Sequence, residues 1–187
     1  MSDYHPTIWR TCRVLAHVQR LACLKAVLEH PGLSVGEVAE LLHLPLDKAS
    51  LNLRALQSRG LLQARRISRW VRYEPRPDPF VPSSAPLLAA LRKTLLRAPI
   101  TEKEIIHILT GFTHPRRLII LQHLRETDEM DFAFLAAETG ISPPALWRHL
   151  KNLEARGLAI ETETGWQLRS NTNPFAKALL RILSTSP

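Results

Sequence analysis

The chain has 187 residues, 45% hydrophobic and 22% charged, with a formal net charge of +8, which excludes a disordered tail and a large multidomain enzyme. No apolar run approaches the roughly 18 residues of a membrane helix, and MSDYHPTIWR lacks the basic-then-apolar build of a secretion signal, so a cytoplasmic protein is expected. Residues 1–98 carry 15 Lys+Arg against 7 Asp+Glu, and residues 99–187 carry 10 against 10, so the first half holds all of the excess.

In chain order, an apolar-periodic stretch from Thr7 to Glu29 reads as a helix closed by Pro31-Gly32. Ser34 and Glu37 form a capping box for a short helix to about His43, which Leu44-Pro45 breaks. A third helix spans about Asp47 to Arg59, with Ala49, Leu53 and Leu56 on one face and Gly60 at its C-cap. LLQARRISRWVRYEP then reads as a hairpin. Residues 74–86, EPRPDPFVPSSAP, hold five prolines and are expected to be extended rather than packed. Two helices follow over 87–98 and 101–112, separated by Pro99, the second opened by a Thr101/Glu104 capping box.

From His114-Pro115 onward the first pattern returns: a helix to about Arg125, a second capped by Asp131, and a third from Pro143 to Arg156 behind Ser142, ended by Gly157. LAIETETGWQLR is a second, shorter hairpin, and Asn173 caps a final helix over 174–183. An offset of 97 aligns Arg20–Leu61 with Arg117–Leu158 without a gap, with ten of 42 positions identical, among them Arg20/Arg117, Leu53/Leu150, Arg59/Arg156 and Gly60/Gly157. Two copies at so long a period indicate paired domains rather than a solenoid.

Helix, turn, helix and hairpin in this order make a winged helix-turn-helix, which presents its third helix to the major groove of DNA and its hairpin tip to a neighbouring phosphate or the minor groove. The expected fold is mainly α with small β-hairpin wings, as two tandem winged helix-turn-helix domains: residues 1–74, a Pro-rich linker and connecting helix over 75–100, and residues 101–187. LSVGEVAELLHLPLDKASLNLRALQSRGLLQARRISRWVRYEP resembles the ArsR-type transcriptional regulators, and FAFLAAETGISPPALWRHLKNLEARGLAIETETGWQLR resembles them again. The resemblance implies a DNA-binding transcriptional regulator, a repressor, whose partner is double-stranded DNA. A tandem winged-helix module for protein interaction or chromosome organisation is the alternative.

Carried onto the first copy, the family's recognition helix places Leu46, Asp47, Lys48, Ser50, Leu51, Asn52 and Arg54 on or near the DNA side. The second copy places Pro143, Pro144, Ala145, Trp147, Arg148, His149 and Lys151 there. Leu51 and Trp147 are apolar residues on a face expected to be wet, suited either to thymine methyl groups or to a protein surface. The wings differ in sign. Arg65, Arg66, Arg69 and Arg72 in the first are placed to neutralise phosphates, whereas Glu161 and Glu163 in the second repel them. Trp9 and Trp70 read as packing residues.

Proteins of this type work as homodimers joined through flanking helices. Here the flanking helices 7–17, 87–98, 101–112 and 174–183 are each apolar on one side, so the chain is expected to be a pseudo-dimeric monomer or a homodimer. The family's cysteine metal site is missing: its position reads Glu37-Val38-Ala39-Glu40-Leu41. On one continuous helix Cys12 and Cys23 lie about 16 Å apart and cannot share an ion, so both read as core residues. His107, His114 and His123 lack the i, i+4 spacing of helical metal sites. No nucleophile elbow or phosphate-binding loop occurs among seven glycines. No enzyme, cofactor or metal is expected.

Overall fold

The computed structural model describes residues 7–170 and 173–185; residues 1–6, part of the opening segment considered for a secretion signal, lie outside them. The first helical stretch is two helices, α1 (Ile8–Leu15) and α2 (Val18–Glu29). His17 takes an extended backbone, φ −149° and ψ 126°, and caps α2, which turns the chain and frees α1 to lie across another helix instead of continuing α2. That corrects the single helix expected over Thr7–Glu29, and with it the separation of Cys12 and Cys23 taken from a continuous axis.

Strand β1 (Leu33–Ser34), α3 (Val35–Leu41) and α4 (Leu46–Gln57) come next. The capping box is formed: Glu37 N–H donates to Ser34 Oγ at 3.3 Å, and Ser34 N–H donates to Glu37 Oε2 at 2.7 Å. Strands β2 (Gln63–Ile67) and β3 (Trp70–Glu74) pair antiparallel, and β1 joins the other edge of β3, with Leu33 opposite Tyr73. Gly60 has φ +70°, and a Cβ there would come within 2.9 Å of Asp78 Cβ and 3.1 Å of Val81 Cγ2, so both the backbone conformation and the space demand glycine.

The proline-rich segment is packed, not free. Asp78 N–H donates to Gly60 O at 2.9 Å, Gln63 Nε2 to Pro77 O at 3.1 Å and Ser84 Oγ to Asp78 O at 2.8 Å, while Val81 is buried. Prolines remove backbone donors and fix φ, but they do not stop an intervening valine from reaching the core. Helix α5 (Ser84–Arg97) begins inside this segment.

Helix α6 (Glu102–Gly111), α7 (Pro115–Glu126), α8 (Phe132–Thr139) and α9 (Pro143–Glu154) follow, then β4 (Ala159–Glu161), β5 (Trp166–Leu168) and α10 (Pro174–Thr185). The expected caps form at α6, where Thr101 and Glu104 make a capping box, and at α8, where Asp131 Oδ1 accepts from Ala133 and Phe134 N–H. Ser142 sits at the N-cap of α9 without a side-chain bond. The second half also has the counterpart of β1: Met130, 97 residues after Leu33, bridges Trp166 next to the β4–β5 pair.

Over the described residues the chain is mainly helical with two small antiparallel sheets, as in a winged helix-turn-helix. One continuous apolar cluster runs from Cys12, Leu24 and Leu53 through Leu91, Phe112 and Leu121 to Leu150, Phe175 and Leu179. Helix α1 packs against α6, and α5 against both α2 and α10.

Candidate nucleic-acid interface

On α4, Asp47, Lys48, Leu51 and Arg54 are exposed and Ser50 is half-buried, with Leu46 exposed beside them. Asn52 is buried, which corrects its placement on the DNA side. It lies three residues after Ala49 and four before Leu56, the spacing of the helix's inner face. On α9, Pro143, Pro144, Trp147 and Arg148 are exposed, while Ala145 is half-buried. His149 is buried at 6% exposure, on the same face as Leu146, Leu150 and Leu153. It too leaves the solvent side.

The first wing ends in a two-residue tip, Ser68-Arg69, between the facing residues Ile67 and Trp70; Ser68 takes φ +57°. Arg65, Arg66 and Arg69 are exposed on this hairpin. Arg66 Nε donates to Ser68 O at 3.4 Å, and the Arg69 guanidinium lies 5.2 Å from the Trp70 ring centre. Arg65 approaches Glu74 at 3.6 Å with its side chain 57% exposed, a surface pair of little strength, and Glu74 is shared with Arg76 at 2.9 Å. Arg72 is different. It donates to Gly32 O at 2.9 Å and to Glu37 Oε2 at 3.0 Å, so it staples the wing to α3 instead of waiting for a phosphate. These contacts help to hold the Glu37 carboxyl below its ordinary pKa, after the larger effect of the two Ser34 hydrogen bonds.

Trp70 is exposed at the base of the tip, which corrects its expected role in packing, whereas Trp9 is half-buried against the core. Trp70 therefore belongs with the surface the wing presents. Period-two alternation holds the signal: Tyr73 faces inward, and in a strand its neighbours at odd spacing face out.

The second hairpin closes on α9. Lys151 Nζ donates to Glu161 Oε2 at 2.7 Å and to Glu154 Oε2 at 2.9 Å. It also lies 4.8 Å from the Trp147 ring centre and 5.3 Å from that of Trp166. The bonds to Glu161 and Glu154 raise its pKa. Next to this latch a cleft of about 340 Å³ is lined by Asp131, Phe132, Trp147, Glu161 and Glu163 among others. A phosphate meets carboxylates and aromatic rings there, and the lysine assigned to it is already held.

At the start of α7 the His114 and His149 rings lie 4.7 Å apart, and His114 Nδ1 accepts from Arg116 N–H at 3.1 Å. Arg117 donates to Asn152 Oδ1 and Thr113 Oγ1. Burial, His114 and the arginines at 117, 148 and 116 push the His149 pKa down to about 4. Among the described residues no cluster of three or more His, Cys, Asp or Glu could hold a metal ion. No described helix is long and apolar enough to cross a membrane.

With this geometry in place, the comparison with known families is specific to one half of the chain. Residues 114–161 match the model of the bacterial regulatory protein, arsR family. The match runs from the cap of α7 through α8 and α9 to the end of β4, which is the helix-turn-helix of the second half and well under half of the chain. Proteins of that family bind DNA. No curated protein and no solved structure matches the chain.

Proposed function

We propose that the chain is a DNA-binding transcriptional regulator that occupies its site as a repressor, with two winged units fused into a covalent pseudo-dimer. The observation that carries this reading is the exposed row Arg65, Arg66 and Arg69 on the first wing, beside a helix α4 that presents Lys48, Leu51 and Arg54 to solvent. Cationic wing and open helix together form the surface that a phosphate backbone and a groove require. The arsR-family match in the other half supports the class. The first unit supplies the basic wing, and the second meets DNA through its helices, since its own wing is acidic.

Fluorescence anisotropy with labelled random duplex across a salt series tests this. Affinity should fall steeply with salt, and Arg65→Ala/Arg66→Ala/Arg69→Ala should lower the slope of log K against log salt by about 0.9 for each phosphate left without its arginine. Salt-insensitive or absent binding by the unaltered protein would overturn the reading. It would favour the protein-interaction alternative, for which Phe134 at 56% and Trp147 at 45% exposure, beside acidic Glu161, are the specific observation.

A further inference from the structure

The second half lacks a basic wing, yet positive charge has not left it. Arg116 on the first turn of α7, Arg148 on α9 and Arg13 on α1 are all exposed. Among the described residues none of the three has a carboxylate at ion-pair distance. The His114–His149 ring contact brings the first turn of α7 against the middle of α9, and the α1–α6 packing carries α1 toward the segment that precedes His114. Burial first, and then the Arg117, Arg116, Arg148 and Arg13 guanidinium groups, lower the His114 pKa.

Three exposed guanidinium groups with no carboxylate at ion-pair distance suit a tetrahedral oxyanion. The helix dipole adds to this, because α7 is a 12-residue helix with its positive end at His114.

The same place in the first half is built differently. At the 97-residue offset Arg116, Arg148 and Arg13 correspond to Gln19, Leu51 and Thr110, and His149 to Asn52. The first half places exposed arginines on its wing beside an open α4, whereas around the second half they lie at the start of α7, on α9 and on α1. We infer that Arg13, Arg116 and Arg148 form a phosphate clamp that grips the DNA backbone beside α7 and α9, taking the place of a basic second wing. The inference rests on the DNA-binding reading above, and it recruits Arg13 from the first half to a contact made by the second.

The test uses the full-length protein and the same duplex over a potassium chloride series. Arg116→Gln/Arg148→Gln, and separately Arg13→Gln, should each lower the salt slope, by about 0.9 for every phosphate the substitution leaves unneutralised, with unchanged thermal melting. Combined with the wing substitutions, the reductions in slope should add. If the unaltered protein binds with a steep slope and these variants keep it, the clamp is overturned while the proposed function stands; if the unaltered protein shows no salt-sensitive binding, the proposed function fails first. Inorganic phosphate at matched ionic strength separates a second source of the same chemistry. Phosphate that raises the melting temperature of the unaltered protein but not of the variants, with their DNA slope unchanged, would make the cluster a free-anion site and overturn the assignment to DNA.

Discussion

His149 has its ring against His114 and its Nε2 buried without a partner, with Arg116, Arg117 and Arg148 around the pair. Its pKa of about 4 lies below the ordinary 6.5, so between those values the unfolded chain binds a proton that the folded chain refuses. The sign follows: stability is complete above about pH 6.5 and falls as pH drops toward 4, by on the order of 2 kcal/mol once solvent screening of the arginines is allowed for. Replacing His149 by Gln should flatten this limb of stability against pH in urea titrations; a limb of unchanged slope would assign the acid sensitivity elsewhere. Cys12 and Cys23 are fully buried, and burial raises their thiol pKa to about 12 and about 11. Neither is a nucleophile at neutral pH. Native protein should therefore resist a thiol reagent that labels both cysteines after denaturation, and fast labelling of the folded chain would contradict their place in the core.

The two hairpins differ in length, sign and anchorage. A Cβ at Gly165, between β4 and β5, would collide with the Met130 carbonyl, which is backbone and cannot swing aside. The Met130–Trp166 bridge depends on that approach, through N–H to O bonds of 2.8 and 2.9 Å. Gly165→Ala should cost about 2 kcal/mol or more and lower the melting temperature, whereas a neutral outcome would mean the second wing is not seated on this bridge. Across the same hairpin Glu161 holds Lys151. Glu161→Gln removes a negative charge and loosens the lysine, so duplex affinity should rise modestly, most visibly at low salt where surface charges are least screened. Unchanged affinity at low salt would show that the second wing faces away from DNA.

Seen whole, the molecule pairs elements that hold like places in the two halves: α1 lies on α6, and α5 lies on α10. An isologous interface joins the same patch on two subunits; in the covalent pseudo-dimer proposed above, one chain would supply both patches around one continuous apolar cluster. The full chain is accordingly expected to sediment as a monomer. Residues 1–100 made alone would expose the apolar faces of α1 and α5, and should aggregate or self-associate. A well-behaved monomeric half would argue against the shared core.

Local signals account for much of this architecture. Ser34/Glu37 and Thr101/Glu104 form the boxes their spacing announces, and Gly60 and Gly157, with φ +70° and +65°, end their helices as glycine C-caps do. These features depend on neighbours within four residues, so the linear order is enough to specify them. The site was less legible. Arg72 and Lys151 read as free cations because their carboxylate partners, Glu37 and Glu161, are brought to them only by folding. Asn52 and His149 read as DNA-facing through resemblance, although their spacing matches the buried face. Arg13 and Arg116 carry no local mark at all, because they belong to different halves.

The order of residues by itself determined most of the helices, the hairpins and the sign of each wing, since these follow from short-range sterics, capping and charge count, although the break at His17 escaped it. Only the tertiary structure decided which arginines remain unpaired, because ion pairing depends on distances between segments far apart in the chain. It also decided that the proline-rich segment is packed and that the two halves share one core, because burial is a property of surfaces that meet in space.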